Sequence, residues 1–157
     1  MEMAITSLRA KRFLVFVWLH TENDPTEDEW DAAFEAIKAK LKQEAALLTQ
    51  VRSLVISDGG APGGVQRARI GREFPVKSSV ITTVLSNPVK RGIATALSWV
   101  NPRFFFGSPK EATRALAHLD LTDQWDVLRP AFLELQQKLP PNHTLELVAN
   151  VMNEPAR

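Results

Sequence analysis

Apolar and polar positions fall in blocks along this chain, and each block has its own period. FLVFVWL (13–19) is a continuous apolar run, as expected of a strand covered on both faces. TENDPT is a polar turn, and Thr26 with Glu29 three residues later spells a capping box. The helix it opens sets Trp30, Phe34, Ile37, Leu41 and Leu48 on one stripe, with Asp31, Lys38 and Lys42 on the other face. SLVIS is the next strand, and it ends at a glycine-rich loop, SDGGAPGG (57–64). VQRARIGREF reads as a short helix, weakened by Gly71 and stopped by Pro75. SSVITTVLS alternates and is β-branched, so it predicts a strand. Asn87-Pro88 then caps the helix VKRGIATALSWV, which ends near Asn101-Pro102. RFFFG is a brief strand, and Ser108-Pro109-Lys110-Glu111 opens another boxed helix whose Ala112, Ala115, Leu116 and Leu119 face inward.

Strand followed by helix, four times over, predicts an α/β fold: a four- or five-stranded, mainly parallel sheet with flanking helices and right-handed crossovers. After Leu121 the rhythm stops. Residues 1–121 are therefore read as the α/β domain, and 122–157 as a helical C-terminal extension packed on that domain or on a partner. Within DQWDVLRPAFLELQQKL, Pro130 is expected to kink or split the helix. TLELVANVM fits either a last strand or a short helix. The extension must bury Trp125, Leu128, Phe132 and Leu135, against its own sheet or against a second copy in a homo-oligomer.

Composition narrows the classes. With 157 residues, 45% of them hydrophobic and 24% charged, the chain has the size and make-up of one globular domain. A net charge of +1 argues against nucleic acid or an anionic membrane as the main partner. The absence of cysteine removes disulfides and thiol chemistry, and agrees with a cytoplasmic location. No segment reaches the ~18 apolar residues of a membrane span. The run Phe13 to Leu19 is read as a strand and not as a leader.

Candidate chemistry gathers where strands end. In an open parallel sheet, ligands and partners meet the loops at the carboxyl ends of the strands. Here those loops are His20–Thr26, Ser57–Gly64, Ser86–Asn87 and Gly107–Ser108. The glycine loop lacks the Lys-Ser/Thr pair of a phosphate-binding loop and does not spell GxGxxG, so no cofactor is expected. Asp58 is its one carboxylate; acid/base or magnesium chemistry there needs further polar partners, with His20 and Ser86 as candidates. His20, His118 and His143 are too scattered in sequence to predict a metal site. Arg67, Arg69, Arg72 and Lys77, followed by Lys90 and Arg91, form either a solvated helix face or a docking patch for an acidic partner.

From Val80 to Leu119 the order of elements and their caps, more than any single motif, carries a resemblance. An apolar strand leads into Ser86-Asn87-Pro88-Val89-Lys90-Arg91, a small-residue helix, Phe104-Phe105-Phe106, and Ser108-Pro109-Lys110-Glu111-Ala112. This resembles the carboxyl half of the STAS domain, the fold of bacterial anti-sigma-factor antagonists and of sulfate-transporter tails. FLVFVWL, TEDEWDAAFEAI and SLVISDGG are similar to its shorter SpoIIAA-like branch, so the resemblance spans roughly residues 11–121, and AITSL could supply the family's first strand. The resemblance implies a non-enzymatic regulatory module of a bacterial signalling pathway, acting by protein–protein contact. It also implies a switch: a Ser or Thr at the helix start after a central strand is phosphorylated, adding about −1.5 to −2 charges. The matching segment is SDGGAPGG, in which the family's Asp-Ser-x-Gly order is replaced and Ser57 is the one hydroxyl, hence the candidate phosphorylation site. The expected partner-binding residues are Ser57, Asp58, Gly59, Gly60, Arg67, Asn87, Lys90 and Arg91. Two alternatives stand beside this: an enzyme or small-molecule-binding protein using a crevice around Asp58, and a structural subunit assembling through the C-terminal helix.

Overall fold

The computed structural model describes residues 1–44, 50–73, 80–98 and 103–154; Leu48, Pro75, Lys77 and the Asn101-Pro102 stop lie outside them. Strand β1 (Met3–Ala10) turns at Lys11-Arg12 into β2 (Phe13–His20). Lys11 takes φ 53°, the left-handed conformation that a two-residue hairpin loop demands. There follow α1 (Glu27–Gln43), β3 (Val51–Ser57), α2 (Gly64–Glu73), β4 (Val80–Leu85), α3 (Pro88–Ser98) and β5 (Phe104–Gly107). The chain closes with α4 (Ala112–His118), α5 (Trp125–Gln136) and α6 (His143–Asn153). The sheet order is β1-β2-β3-β4-β5. β1 is antiparallel to β2, and every later neighbour is parallel, so the mainly parallel five-stranded sheet with flanking helices is what forms.

The continuous apolar run of β2 has a direct cause. All eight of its residues are buried, because helices cover both faces of the sheet. Leu14, Phe16 and Trp18 point to the α1 side, where Trp30, Ala33, Phe34 and Ile37 meet them. Phe13, Val15, Val17 and Leu19 point to the opposite side, into a cluster with Leu116, Leu119, Leu128, Phe132 and Leu135. α1 starts where the capping box predicts: Thr26 Oγ1 accepts from Glu29 N at 3.3 Å, and Glu29 returns a carboxylate oxygen to Thr26 N at 3.0 Å.

The structure decides between the alternatives left open for the extension. Trp125, Leu128, Phe132 and Leu135 are buried in the core that also holds β2, so this stripe faces its own sheet and presents nothing to a second copy. The homo-oligomer expected through those four side chains is corrected accordingly. Pro130 neither splits nor ends its helix; α5 runs from Trp125 to Gln136 with Pro130 inside it. Pro130 lies on the exposed face, where water can satisfy the carbonyl left without its donor. TLELVANVM, open between strand and helix, is helical in α6.

If the extension is an integral layer, Phe132→Ala should cost about 3–5 kcal/mol, as for a fully buried phenylalanine in a single core. Urea unfolding followed by both tryptophan fluorescence and far-ultraviolet circular dichroism measures this. A tail that folds independently would lose its own transition and leave the main one where it was.

Candidate functional site

The parallel strands β2, β3, β4 and β5 all end on one rim, and the glycine loop sits at its centre. The loop is not slack. Gly60 N donates to Thr21 O at 2.8 Å, and Ala61 N to Asp24 Oδ1 at 3.1 Å. A Cβ on Gly60 would fall 2.2 Å from the Asn23 carbonyl oxygen, so only glycine permits this approach. Gly59 holds φ 151°, which again favours glycine. Ser57 is fully buried: its hydroxyl donates to Gly60 O at 2.7 Å and accepts from Gly59 N at 3.0 Å. In this conformation the hydroxyl is closed to a kinase and serves to fold the loop back on its strand.

Asp58 points the other way, to the C-terminal extension. Its Oδ2 accepts from His143 N at 3.1 Å, and its Oδ1 accepts from Thr144 N at 2.8 Å and from the Thr144 hydroxyl. Thr144 Oγ1 also lies 3.3 Å from Ser57 O. Asn142 acts as N-cap, accepting from Leu145 N at 2.8 Å, while its Nδ2 donates to His20 O at 2.9 Å. The negative carboxylate therefore sits on the first turn of α6, where orphan N–H groups and the helix dipole both favour it. Beside it opens a crevice of about 330 Å³, lined in part by Glu2, Thr21, Asn23, Ser86 and His143. The catalytic partners foreseen for Asp58 do not reach its carboxylate. Ser86 Oγ donates to the Asp58 carbonyl at 3.0 Å, and the His20 ring turns into an aromatic box with Trp18 and Trp30. Among the described residues no three His, Cys, Asp or Glu side chains group to hold a metal ion.

Burial in that box disfavours the His20 imidazolium and lowers its pKa from 6.5 to about 4, against the opposing pull of Asp24 and Glu29. Its Nδ1 has no hydrogen-bond partner among the described residues. Glu29 shows the reverse balance. Desolvation pushes its carboxyl up, but the N–H groups of Thr26, Glu2 and Met3 and the Thr26 hydroxyl outweigh that and hold it below the usual range.

The remaining candidates lie at the helix starts. Asn87 Oδ1 accepts from Val89 N at 3.0 Å and Lys90 N at 3.1 Å, capping α3. The Lys90 ammonium donates to Gly59 O and lies 3.8 Å from Asp24. Arg91 donates to Leu85 O at 3.0 Å, and the exposed Arg67 to Pro62 O at 3.0 Å. Ser57, Gly59 and Gly60 thus form the buried scaffold of the rim with half-buried Asp58 beside them, while Arg67, Asn87 and Lys90 reach its surface or edge. Sequence reasoning missed two surface residues: Val65 in the first turn of α2 and Val89 in the first turn of α3, 70% and 71% exposed. It also missed Asn142 and Thr144. An Asn placed after Pro140-Pro141 and before a periodic run is a legible cap signal; a bond from Asp58 to a residue 86 positions on leaves none.

Two outcomes follow from this geometry. Asp58→Ala should destabilise the protein by about 1–3 kcal/mol through loss of the α6 anchor, and Thr144→Val added to it should cost little more, a coupling that a double-mutant cycle in urea reads. A purely catalytic Asp58 would show no such coupling. For His20 the unfolded state takes up a proton below pH 6.5 and the folded state only near pH 4, so stability falls as pH drops through that window. Between pH 7 and 4.5 the wild type should lose about 2–3 kcal/mol more than His20→Phe, measured by unfolding both proteins at each pH.

No family model and no curated protein matches the chain. Among solved structures, the fold matches an uncharacterized DUF3478-family protein with a SpoIIAA-like fold from Shewanella loihica PV-4. The TM-score is 0.54 and the identity 12%, over 75% of this chain and 93% of that one. No helix among the described residues is long and apolar enough to cross a membrane. The five-stranded sheet, its strand order and the matched structure together establish that this chain adopts a SpoIIAA-like α/β fold.

Proposed function

We propose that the chain is a non-enzymatic regulatory module, acting in the cytoplasm by protein–protein contact through the α2–α3 side of the strand-end rim. The observation that carries this is the pair Val65 and Val89. They are the most exposed large apolar side chains among the described residues, and they open the two helices that follow the adjacent parallel strands β3 and β4. β-branched residues in the first turn of two helices contribute nothing to the core from that position. Lys90 ties the α3 start to the glycine loop that leads into α2, so the loop and the α3 start brace each other. The loop glycines and Ser57 support this surface from beneath, and Arg67 and Arg91 flank it.

A second reading is favoured by the crevice at Asp58, whose polar walls would suit a small ligand. Against acid/base work there, both oxygens of the carboxylate already accept hydrogen bonds from α6.

A photoreactive amino acid at position 65 or 89, introduced into the native cell, should give a discrete protein crosslink. The same probe at the exposed Leu147 on α6 should not. Crosslinks that are absent at both rim positions, or identical at all three, would remove the docking role.

A further inference from the structure

We infer that the partner presents an acidic segment with an apolar anchor, and that α2 and α3 receive it together; this rests on the rim reading above. The charge distribution is the first argument. The sequence of α2 and α3 carries Arg67, Arg69, Arg72, Lys90 and Arg91 against a single acid, Glu73, in a chain whose net charge is only +1. Arg69 is taken up by Asp31 of α1 and lies over the Phe34 ring, and the positive excess that remains in the sequence is still local to these two helices. Neither helix has an acidic residue in its first turn, the place where a carboxylate would ordinarily complement the dipole. α1 shows the contrast, with Glu27, Asp28 and Glu29 in its first turn.

The second argument is geometric. On α2, Val65, Ala68 and Arg72 are exposed and fall at i, i+3 and i+7, one outward stripe that leads from an apolar start to a cation. On α3, Val89 and Gly92 are exposed at i and i+3, and nothing lies within 4 Å of where a Gly92 Cβ would be. Arg67 and Arg72 have no acidic partner among the described residues. Among the described residues the acidic neighbour of Lys90 is the solvent-exposed Asp24 at 3.8 Å, a contact of little worth in water, beside its bond to Gly59 O. Two apolar anchors on a cationic field suit an amphipathic acidic peptide or helix face: apolar contact supplies the affinity, and the charges supply steering and register. Nucleic acid is the poorer fit. Five basic side chains spread over two helices and a net charge of +1 give little backbone electrostatics, and α2 and α3 carry no aromatic residue to offer a base a stacking platform.

The probe is a synthetic amphipathic peptide of about 18 residues with one Leu/Phe face and one Glu/Asp face, its charge-reversed Lys/Arg counterpart, and a single-stranded oligonucleotide of similar charge. Each is titrated into the full-length ¹⁵N-labelled chain. The acidic peptide should bind at least about tenfold tighter than its counterpart, weaken from about 50 to 300 mM salt, and shift amides of α2 and α3. Val65→Asp with Val89→Asp should abolish the binding, and Arg67→Glu with Arg72→Glu should reverse the charge preference. All four positions are exposed, so these variants keep the fold, and their spectra report it directly. Equal binding of the two peptides, tighter binding of the oligonucleotide, or shifts elsewhere on the surface overturns the acidic-partner inference. In that event rim crosslinks at positions 65 and 89 still stand or fall by themselves, so the two failures are distinguishable.

Discussion

Burial of β2 on both faces is the constraint from which the rest of the architecture follows. A strand reading FLVFVWLH cannot leave either side to water, and at about 25 cal/mol per Å² each uncovered face would be a large penalty. α1 with its Trp30 and Phe34 seals one side, as right-handed crossovers require. The other side has only the short α4 from the strand–helix repeat, and that helix lies towards β4 and β5. α5 fills what is left over β1 and β2, and α6 locks it in place. The C-terminal stretch thus completes a layer that the sheet cannot do without, and the boundary near residue 121 is a change of rhythm within one core.

That arrangement divides the labour at the strand ends. A single dipeptide, Ser57-Asp58, serves both sides of the rim. Ser57 folds the glycine loop back through Gly59 and Gly60, and Asp58 reaches across to the first turn of α6. Its carbonyl meanwhile accepts from Ser86 ahead of α3. Loop, C-terminal helix and α3 are therefore held by adjacent atoms of the same two residues. A partner resting on the α2–α3 side meets a surface whose backbone is fixed from below, which lowers the ordering cost of binding.

Much of this was legible in the sequence because local signals and the sheet agreed. The Thr26–Glu29 box, Asn87-Pro88 and Ser108–Glu111 each put a helix start where it lies, and the unbroken apolar run of β2 announced two-sided burial. Val51–Ser57 and Val80–Leu85 were readable from β-branched content. What failed was long-range. Whether Trp125, Leu128, Phe132 and Leu135 faced the same chain or another depended on an uncovered sheet face that no local pattern measures. Of kink or split, Pro130 does not split the helix, and it sits on the wet side of α5, where water can serve the carbonyl left without its donor. The role of Asp58 stayed open between partner contact and a crevice because its hydrogen-bond donors arrive from far along the chain.

Ser57 marks where the fold and the implied switch part. A phosphoryl group there would go on a hydroxyl that is fully buried and bonded to Gly60 O and Gly59 N. Adding it would break the loop's two internal bonds and place near two negative charges one residue from Asp58. Like charges there would loosen the cap of α6 as well. Modification at this position would thus act by dismantling the rim, not by tagging its surface. A control that leaves the fold intact is better placed on the exposed side, where charge on a partner segment can complement Arg67, Arg72 and Lys90 without any buried bond being surrendered.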